Sequence, residues 1–327
     1  MILLTGGAGY IGAQTNKCLN EKGSPTVVFD NLSTGHREFV RWGELFAGDL
    51  ADVESLRRCF AGRPIRAVIH FGASAYVGES IVQPAKYYQN NVANTLRLLG
   101  VMREFGVRFL IFSSSCTVYG EPRQLPISEA HPRAPICPYG RTKFMVEEVL
   151  RDYDRAYGLK SICLRYFNAA GADPGGELGE WHDPETHLIP LAIMSALGSR
   201  GAFTLLGNDY PTRDGTCIRD FIHVADLAEA HVRALELLLA TERSDAFNLG
   251  NGEGYSVREV LAKVADISGL DISIVAAPRR PGDSPVLISD SRRAAETLGW
   301  TPRYPDLASI VKTAWDWHSR RHQPPLA

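Results

Sequence analysis

The sequence has no apolar run near the ~20 residues needed to cross a bilayer, which argues against an integral membrane protein. Its first apolar stretch, Ile2–Leu4, is too short for the core of a secretion signal and follows no basic region. A cytoplasmic location is expected. Six cysteines (18, 59, 116, 137, 163, 217) form no C-x-x-C pair, so they read as reduced, mostly buried thiols rather than a disulfide frame or a zinc site. A surplus of one charge is also missing. The formal net charge is −2, with acids and bases mixed along the chain, which argues against a nucleic-acid partner and against charged tails. There is no fixed-period repeat. What is present is 327 residues, 45% hydrophobic and 22% charged, enough for one large or two modest domains.

Short β-rich apolar runs predict strands at 1–5, 25–30, 44–48, 66–71, 108–113 and 160–166. Helical patterns fall between them, at 10–22, 52–61, 84–105 and 138–157. This alternation implies an α/β chain with a doubly wound parallel sheet. After about residue 168 the texture changes to the Gly/Pro/acid-rich stretch GADPGGELGEWHDPE, then to shorter elements. The expected organisation is a nucleotide-binding domain over 1–167, with a return segment near 217–250, and a smaller α/β domain over 168–327.

In LLTGGAGYIG, Gly6, Gly9 and Gly12 follow the first strand and open a helix. A tight turn, close backbone approach and free helix N–H groups suit a pyrophosphate. Asp30 ends the second strand, where an acid accepts from ribose hydroxyls and repels a 2′-phosphate, so NAD is expected over NADP. Asp49 follows the third strand, placed either to meet the adenine or to cap the next helix.

Tyr139 lies one helical turn before Lys143, and no other tyrosine has a lysine four places on. An adjacent cation lowers a phenol pKa by roughly 1–3 units, toward a base able to take a proton from an alcohol. Three serines, Ser113–Ser115, end the strand before this helix. Ser115, deepest in the loop, is the candidate third catalytic group.

Together TGGAGYIG, FDNLSTGH, FSSSCTVYG, PYGRTK, LRYFNAAGADP, GNDYPTRDGTCIRDFIHVADLAEAH and APRRPGD resemble the extended short-chain dehydrogenase/reductase family. Within it the chain is similar to the UDP-sugar 4-epimerases that interconvert UDP-glucose and UDP-galactose through a 4-keto sugar. The resemblance runs from residue 1 to about 290. It implies Tyr139 as base, Lys143 as its partner and Ser115 as the third group. NAD contacts then fall on Tyr10, Ile11, Asp30, Asn31, Leu32, Ser33, Thr34, Asp49, Leu50, Phe71, Gly72, Ala73, Asn90, Phe167 and the Tyr139–Lys143 pair. Substrate contacts fall on Ser115, Asn168, His187, Leu188, Arg219, Arg280, Asp283 and Leu287, the two arginines being suited to clamp a diphosphate. A homodimer sharing helices 84–105 and 138–157 is implied by the same analogy.

Three positions depart from common family patterns. Ala75 stands where some members carry lysine, His187 where others carry asparagine, and Leu287 where residue size governs which sugar enters. UDP-pentoses and UDP-N-acetylhexosamines therefore remain alternative substrates. A 4,6-dehydratase is disfavoured, because Cys116 and Thr117 occupy the places of its Asp-Glu pair. A non-catalytic NAD-binding regulator is disfavoured by the presence of both Tyr139 and Lys143. Glu180, His182, Asp183, Glu185 and His187 cluster in EWHDPETH, but in a Gly/Pro-rich stretch without helical pairing they read as a solvated loop, and no metal is expected.

Overall fold

The structure, a computed structural model, describes residues 1–280 and 282–322; Pro281 of APRRPGD and the last five residues of the expected second domain lie outside it. Strands β1 (Ile2–Thr5), β2 (Thr26–Asp30), β3 (Glu44–Ala47), β4 (Ala67–His70), β5 (Phe109–Ser113) and β6 (Lys160–Tyr166) follow the expected runs closely. Helices α1 (Tyr10–Glu21) and α2 (Val53–Phe60) follow them as expected, as does α6 (Pro138–Tyr157), which has proline in its first turn and Gly158 at φ 67° as its left-handed stop. Between β4 and β5 lie α3 (Val77–Val82), α4 (Pro84–Tyr87) and α5 (Asn94–Glu104). The helix expected over 84–105 is not continuous: π-helical turns run from Tyr88 to Ala93 and separate α4 from α5. The wider turn brings both Asn90 and Asn91 onto the loop after β4, as described below.

The second half opens with β7 (Asn168–Ala170), α7 (Leu188–Ala196), β8 (Phe203–Leu206), β9 (Ile218–Arg219), β10 (Phe221–His223) and α8 (Val224–Thr241). The chain then adds β11 (Asp245–Leu249) to the main sheet before leaving it again. That sheet has the order β11-β6-β5-β4-β1-β2-β3, and all its pairings are parallel. The remaining elements are β12 (Tyr255–Ser256), α9 (Val257–Ser268), β13 (Ile274–Ala277), β14 (Val286–Leu287), α10 (Arg292–Leu298) and α11 (Leu307–His322). Small sheets join β7 to β10, β8 to β13, and β9 to both β12 and β14.

Period-two alternation divides the core. Ile2, Leu4 and Ile69 face Leu19 of α1, Leu227 and Leu235 of α8, and Leu298 of α10. Leu3, Val27, Phe29 and Leu110 face Leu56 of α2, Leu98 and Met102 of α5, and Val146 of α6. A third cluster joins Ile189 and Ile193 of α7, Val260 and Val264 of α9, and Ile310 and Val311 of α11. The strand order reverses between β1 and β4, so the loops after these two strands meet at the carboxyl edge of the sheet, where doubly wound folds bind ligands. Phe71 N and Gly72 N both donate to the Thr5 carbonyl there, at 2.9 and 3.0 Å. Among the described residues all six thiols are free, and no helix is long and apolar enough to cross a membrane.

Candidate active site

The glycine loop separates two requirements. Gly6 has φ +70°, and a Cβ there would stand 2.5 Å from Gly72 N; a Cβ at Gly12 would stand 2.4 Å from the Gly6 carbonyl oxygen. Both glycines are demanded by the protein's own packing. A Cβ at Gly9 would meet nothing nearer than 3.4 Å, so its missing side chain clears the space in front of the loop. Gly9 caps α1 without a side-chain bond, which leaves the N–H groups of the first turn, including those of Tyr10 and Ile11, open to an anion. The Tyr10 phenol is used elsewhere, donating to the Gly171 carbonyl at 2.6 Å.

Asp30 braces this loop from β2. Its two carboxylate oxygens accept from Ala8 N (2.9 Å) and Leu32 N (2.8 Å). Burial pushes its carboxyl up, and those N–H groups oppose the shift. Asn31 donates to Asp49 at 2.8 Å and accepts from Ser33 N, while Thr34 is exposed beside them. Asp49 accepts from Ala51 N but does not begin α2; Asp52 is the cap, accepting from Ser55 N at 3.1 Å. Leu50 packs toward Gly72, and the Phe71 ring lies 4.8 Å from that of His231. Ala73 is half-buried. Asn90 reaches Ser74 Oγ (3.1 Å), and the buried Asn91 bonds the Ser74 main chain in both directions (2.8 and 3.0 Å). This cradle of bare backbone and helix N-terminus, with Asp30 at its edge, fits a dinucleotide.

Tyr139 and Lys143 are both buried on α6. The Lys143 Nζ donates to the Ser113 carbonyl at 2.7 Å and lies 5.8 Å from the centre of the Tyr139 ring. The hydroxyls of Ser113 and Ser114 are taken, by Tyr166 at 2.6 Å and Glu147 at 2.7 Å. Ser115 accepts from Thr117 N and Oγ1, and its hydroxyl is among the groups acting to lower the Tyr139 pKa. Desolvation reverses the pKa direction expected from the spacing of this pair. Burial, with Tyr166 adding to it, holds the Tyr139 phenol well above its ordinary value, and burial lowers Lys143 to about 7. An ammonium that is itself desolvated gives the phenol little help in the free chain.

On the substrate side, Arg219 and Arg280 converge on Asp283, at 3.4 and 2.8 Å. Arg219 also acts on the Cys116 thiol, which sits beside Ser115. Leu287 pairs with Arg219 across β14 and β9 and packs toward Phe167, Cys116 and Tyr119. Asn168 is exposed at the start of β7, and Leu188 begins α7. His187 has its Nδ1 turned to two carboxylates, Glu185 at 2.8 Å and Glu180 at 2.9 Å, which overcome burial and hold its pKa up to about 10. The loop around it is solvated only in part: Asp183 and Thr186 are exposed, whereas Glu180 and Glu185 are buried.

Sequence reasoning passed over Glu147. It repeats the spacing Tyr139–Lys143 once more on the same face of α6, and it meets Arg165 of β6 in a buried pair at 2.6 and 2.9 Å. It also passed over Tyr166, which no spacing rule marks.

The family model described as NAD dependent epimerase/dehydratase family matches residues 2–250. This chain belongs to that family. It is 52% identical over 322 residues, 98% of each chain, to the UDP-glucose 4-epimerase of Rhizobium meliloti (strain 1021). The structure of the Brucella ovis UDP-glucose 4-epimerase in complex with NAD is 51% identical, with TM-score 0.93 over 96% of this chain and 97% of that one. The Bifidobacterium longum enzyme, in complex with NAD+ and UDP, is 36% identical, with TM-score 0.92 over 98% of each. The family's fold, a parallel sheet flanked by helices, is the one described above.

Proposed function

We infer that this chain is an NAD-dependent UDP-sugar 4-epimerase acting on UDP-glucose and UDP-galactose. The carrying observation is the full-length match to UDP-glucose 4-epimerases, joined to a Tyr–Lys–Ser cluster at the mouth of a dinucleotide cradle. NAD, when bound, supplies an oxidised nicotinamide that takes hydride from C4 of the sugar and later returns it. Tyr139 takes the proton of the 4-hydroxyl and gives it back. Ser115, whose hydroxyl already acts on the Tyr139 phenol, hydrogen-bonds that hydroxyl. Arg219 and Arg280 hold the diphosphate, exchanging part of their contact with Asp283 for it. The anchor stays in place while the 4-keto sugar turns over, so binding energy resides on the nucleotide.

In this reading residues 1–167 with β11 hold NAD, and residues 168–327 supply most UDP-sugar contacts. The test is a turnover assay of the purified chain with UDP-glucose, UDP-galactose, the N-acetylhexosamine pair and UDP-pentoses, without added NAD. Conversion of UDP-galactose to UDP-glucose is expected. Tightly held NAD with no turnover of any UDP-sugar overturns it.

We also propose a cytoplasmic homodimer. Exposed apolar side chains gather on α3, α5 and α6: Val82 (75%), Met145 (45%), Ile81 (43%) and Leu96 (39%). Such side chains suit a helix-to-helix contact between two copies. The double substitution Leu96→Glu, Met145→Glu is expected to halve the mass measured by light scattering at micromolar concentration. A wild-type chain that elutes as a monomer rules the dimer out.

A further inference from the structure

Outside the cradle and the Tyr–Lys–Ser cluster, one group of side chains converges without a stated occupant. Glu180, His182, Glu185 and His187 each offer one ligand atom, and these atoms lie within 4.8 Å of one another. Both imidazoles point Nδ1 inward. His182 Nδ1 stands 3.6 Å from Glu180 and 3.5 Å from Glu185, while His187 Nδ1 stands 2.9 and 2.8 Å from the same two residues.

Three features leave a place for a further positive charge in this arrangement. The two carboxylate side chains are each only 4% exposed, so two negative charges are held together away from water with a single compensating imidazolium, that of His187, beside them. The single Nδ1–H of His187 is shared between them. The buried Nδ1 of His182, aimed into the group, has no hydrogen-bond partner. A cavity of about 250 Å³ adjoins the group, bounded also by Trp181, Met194, His318 and Arg321.

The backbone that carries the ligands is fixed from outside. Trp317 of α11 donates to the Glu180 carbonyl at 3.1 Å, and His36 contacts the Trp181 carbonyl at 3.0 Å and stacks on its ring at 3.9 Å. Thr186 N and His187 N both donate to Glu185. Rigid support of this kind is what a metal centre needs from its surroundings.

We propose that Glu180, His182, Glu185 and His187 form a binding site for a divalent transition cation of the zinc class. Two imidazole nitrogens and two carboxylate oxygens suit such an ion better than magnesium or calcium, which prefer all-oxygen shells. Bonds of about 2.0–2.2 Å in a tetrahedron set ligand atoms ~3.4 Å apart. The His182 separations lie close to this, those of His187 need an opening of about half an ångström when its Nδ1 proton leaves, and Glu185 must turn one oxygen to the ion as the group, now spread within 4.8 Å, draws together. The bound cation would neutralise the paired carboxylates and clasp the 172–187 loop to α7. His187 would keep Nε2 free for the substrate.

The experiment uses the tag-free, full-length chain, stripped with a chelator and dialysed. Titration with Zn2+ is expected to show one site per chain, with affinity rising as pH rises because a proton is released. Co2+ at the same site is expected to give visible absorption bands of a near-tetrahedral centre. His182→Ala removes a ring whose Nδ1 stands 3.5 and 3.6 Å from the two carboxylates, and circular dichroism with thermal melting checks that the fold holds. The substitution should weaken Zn2+ binding at least 100-fold and abolish the cobalt bands. Absence of stoichiometric binding by the wild-type chain overturns the proposal, as does Zn2+ binding that His182→Ala leaves unchanged.

Discussion

Tyr139→Phe is expected to lower kcat for UDP-galactose about 1,000-fold, the middle of the ~10²–10⁴ range that a positioned proton acceptor contributes. Bound NAD and thermal stability should stay near wild type. The substitution keeps the ring, which packs against Tyr87, Cys137 and Val77, and removes only the hydroxyl. Single-turnover mixing with UDP-galactose would read the loss directly as slower reduction of the bound nicotinamide. A variant that turns over at the wild-type rate means that another group takes the proton, and the assignment of Tyr139 fails. The raised phenol pKa of the free chain gives this result added weight. Burial there holds the Tyr139 phenol well above its ordinary value and lowers Lys143 to about 7. A positive charge entering so enclosed a space lowers the phenol pKa strongly, since little solvent is left to screen it.

Glu147→Ala is expected to cost about 3–5 kcal/mol of stability, because it leaves the Arg165 guanidinium buried and uncompensated. Chemical denaturation at pH 7 measures it, as a lower midpoint with the slope unchanged. Acid should shrink the difference. Burial acts to raise the Glu147 carboxyl, but hydrogen bonds and charge from Arg165, with Ser114 and Arg133, outweigh it and hold the folded-state pKa below 4.5. The stabilisation is therefore complete above pH 4.5 and disappears as pH falls through the lower, folded-state value. A midpoint within experimental error of wild type at pH 7 would show that the pair contributes no net stability.

Much of the fold was legible because its signals are local. Each strand of the first half is a short β-rich run, and each following helix has its own start and stop residues, as Pro138 and Gly158 show for α6. The glycine loop was legible for the same reason, although its sequence did not reveal that Gly6 and Gly12 serve packing while Gly9 clears the front. What escaped depends on neighbours far along the chain. The π-helical turns at Tyr88–Ala93 are set by Asn90 and Asn91 reaching back to Ser74. The loop at 180–187 was read as solvated from its Gly/Pro-rich setting, yet Trp317 and His36 fold it inward. The pKa directions at Tyr139 and Lys143 follow from desolvation, which residue spacing cannot report.

The place of β11 at one end of the main sheet limits how the molecule can be divided. A fragment ending after β6 would contain every segment of the glycine loop and the Tyr–Lys pair. It would also bare the Ile162–Tyr166 edge that β11 covers, with the apolar floor that α8 protects. Such a fragment is a template for intermolecular strand addition, so expressing the first half alone should yield insoluble material. A soluble excised module would have to carry residues 224–249 grafted behind β6.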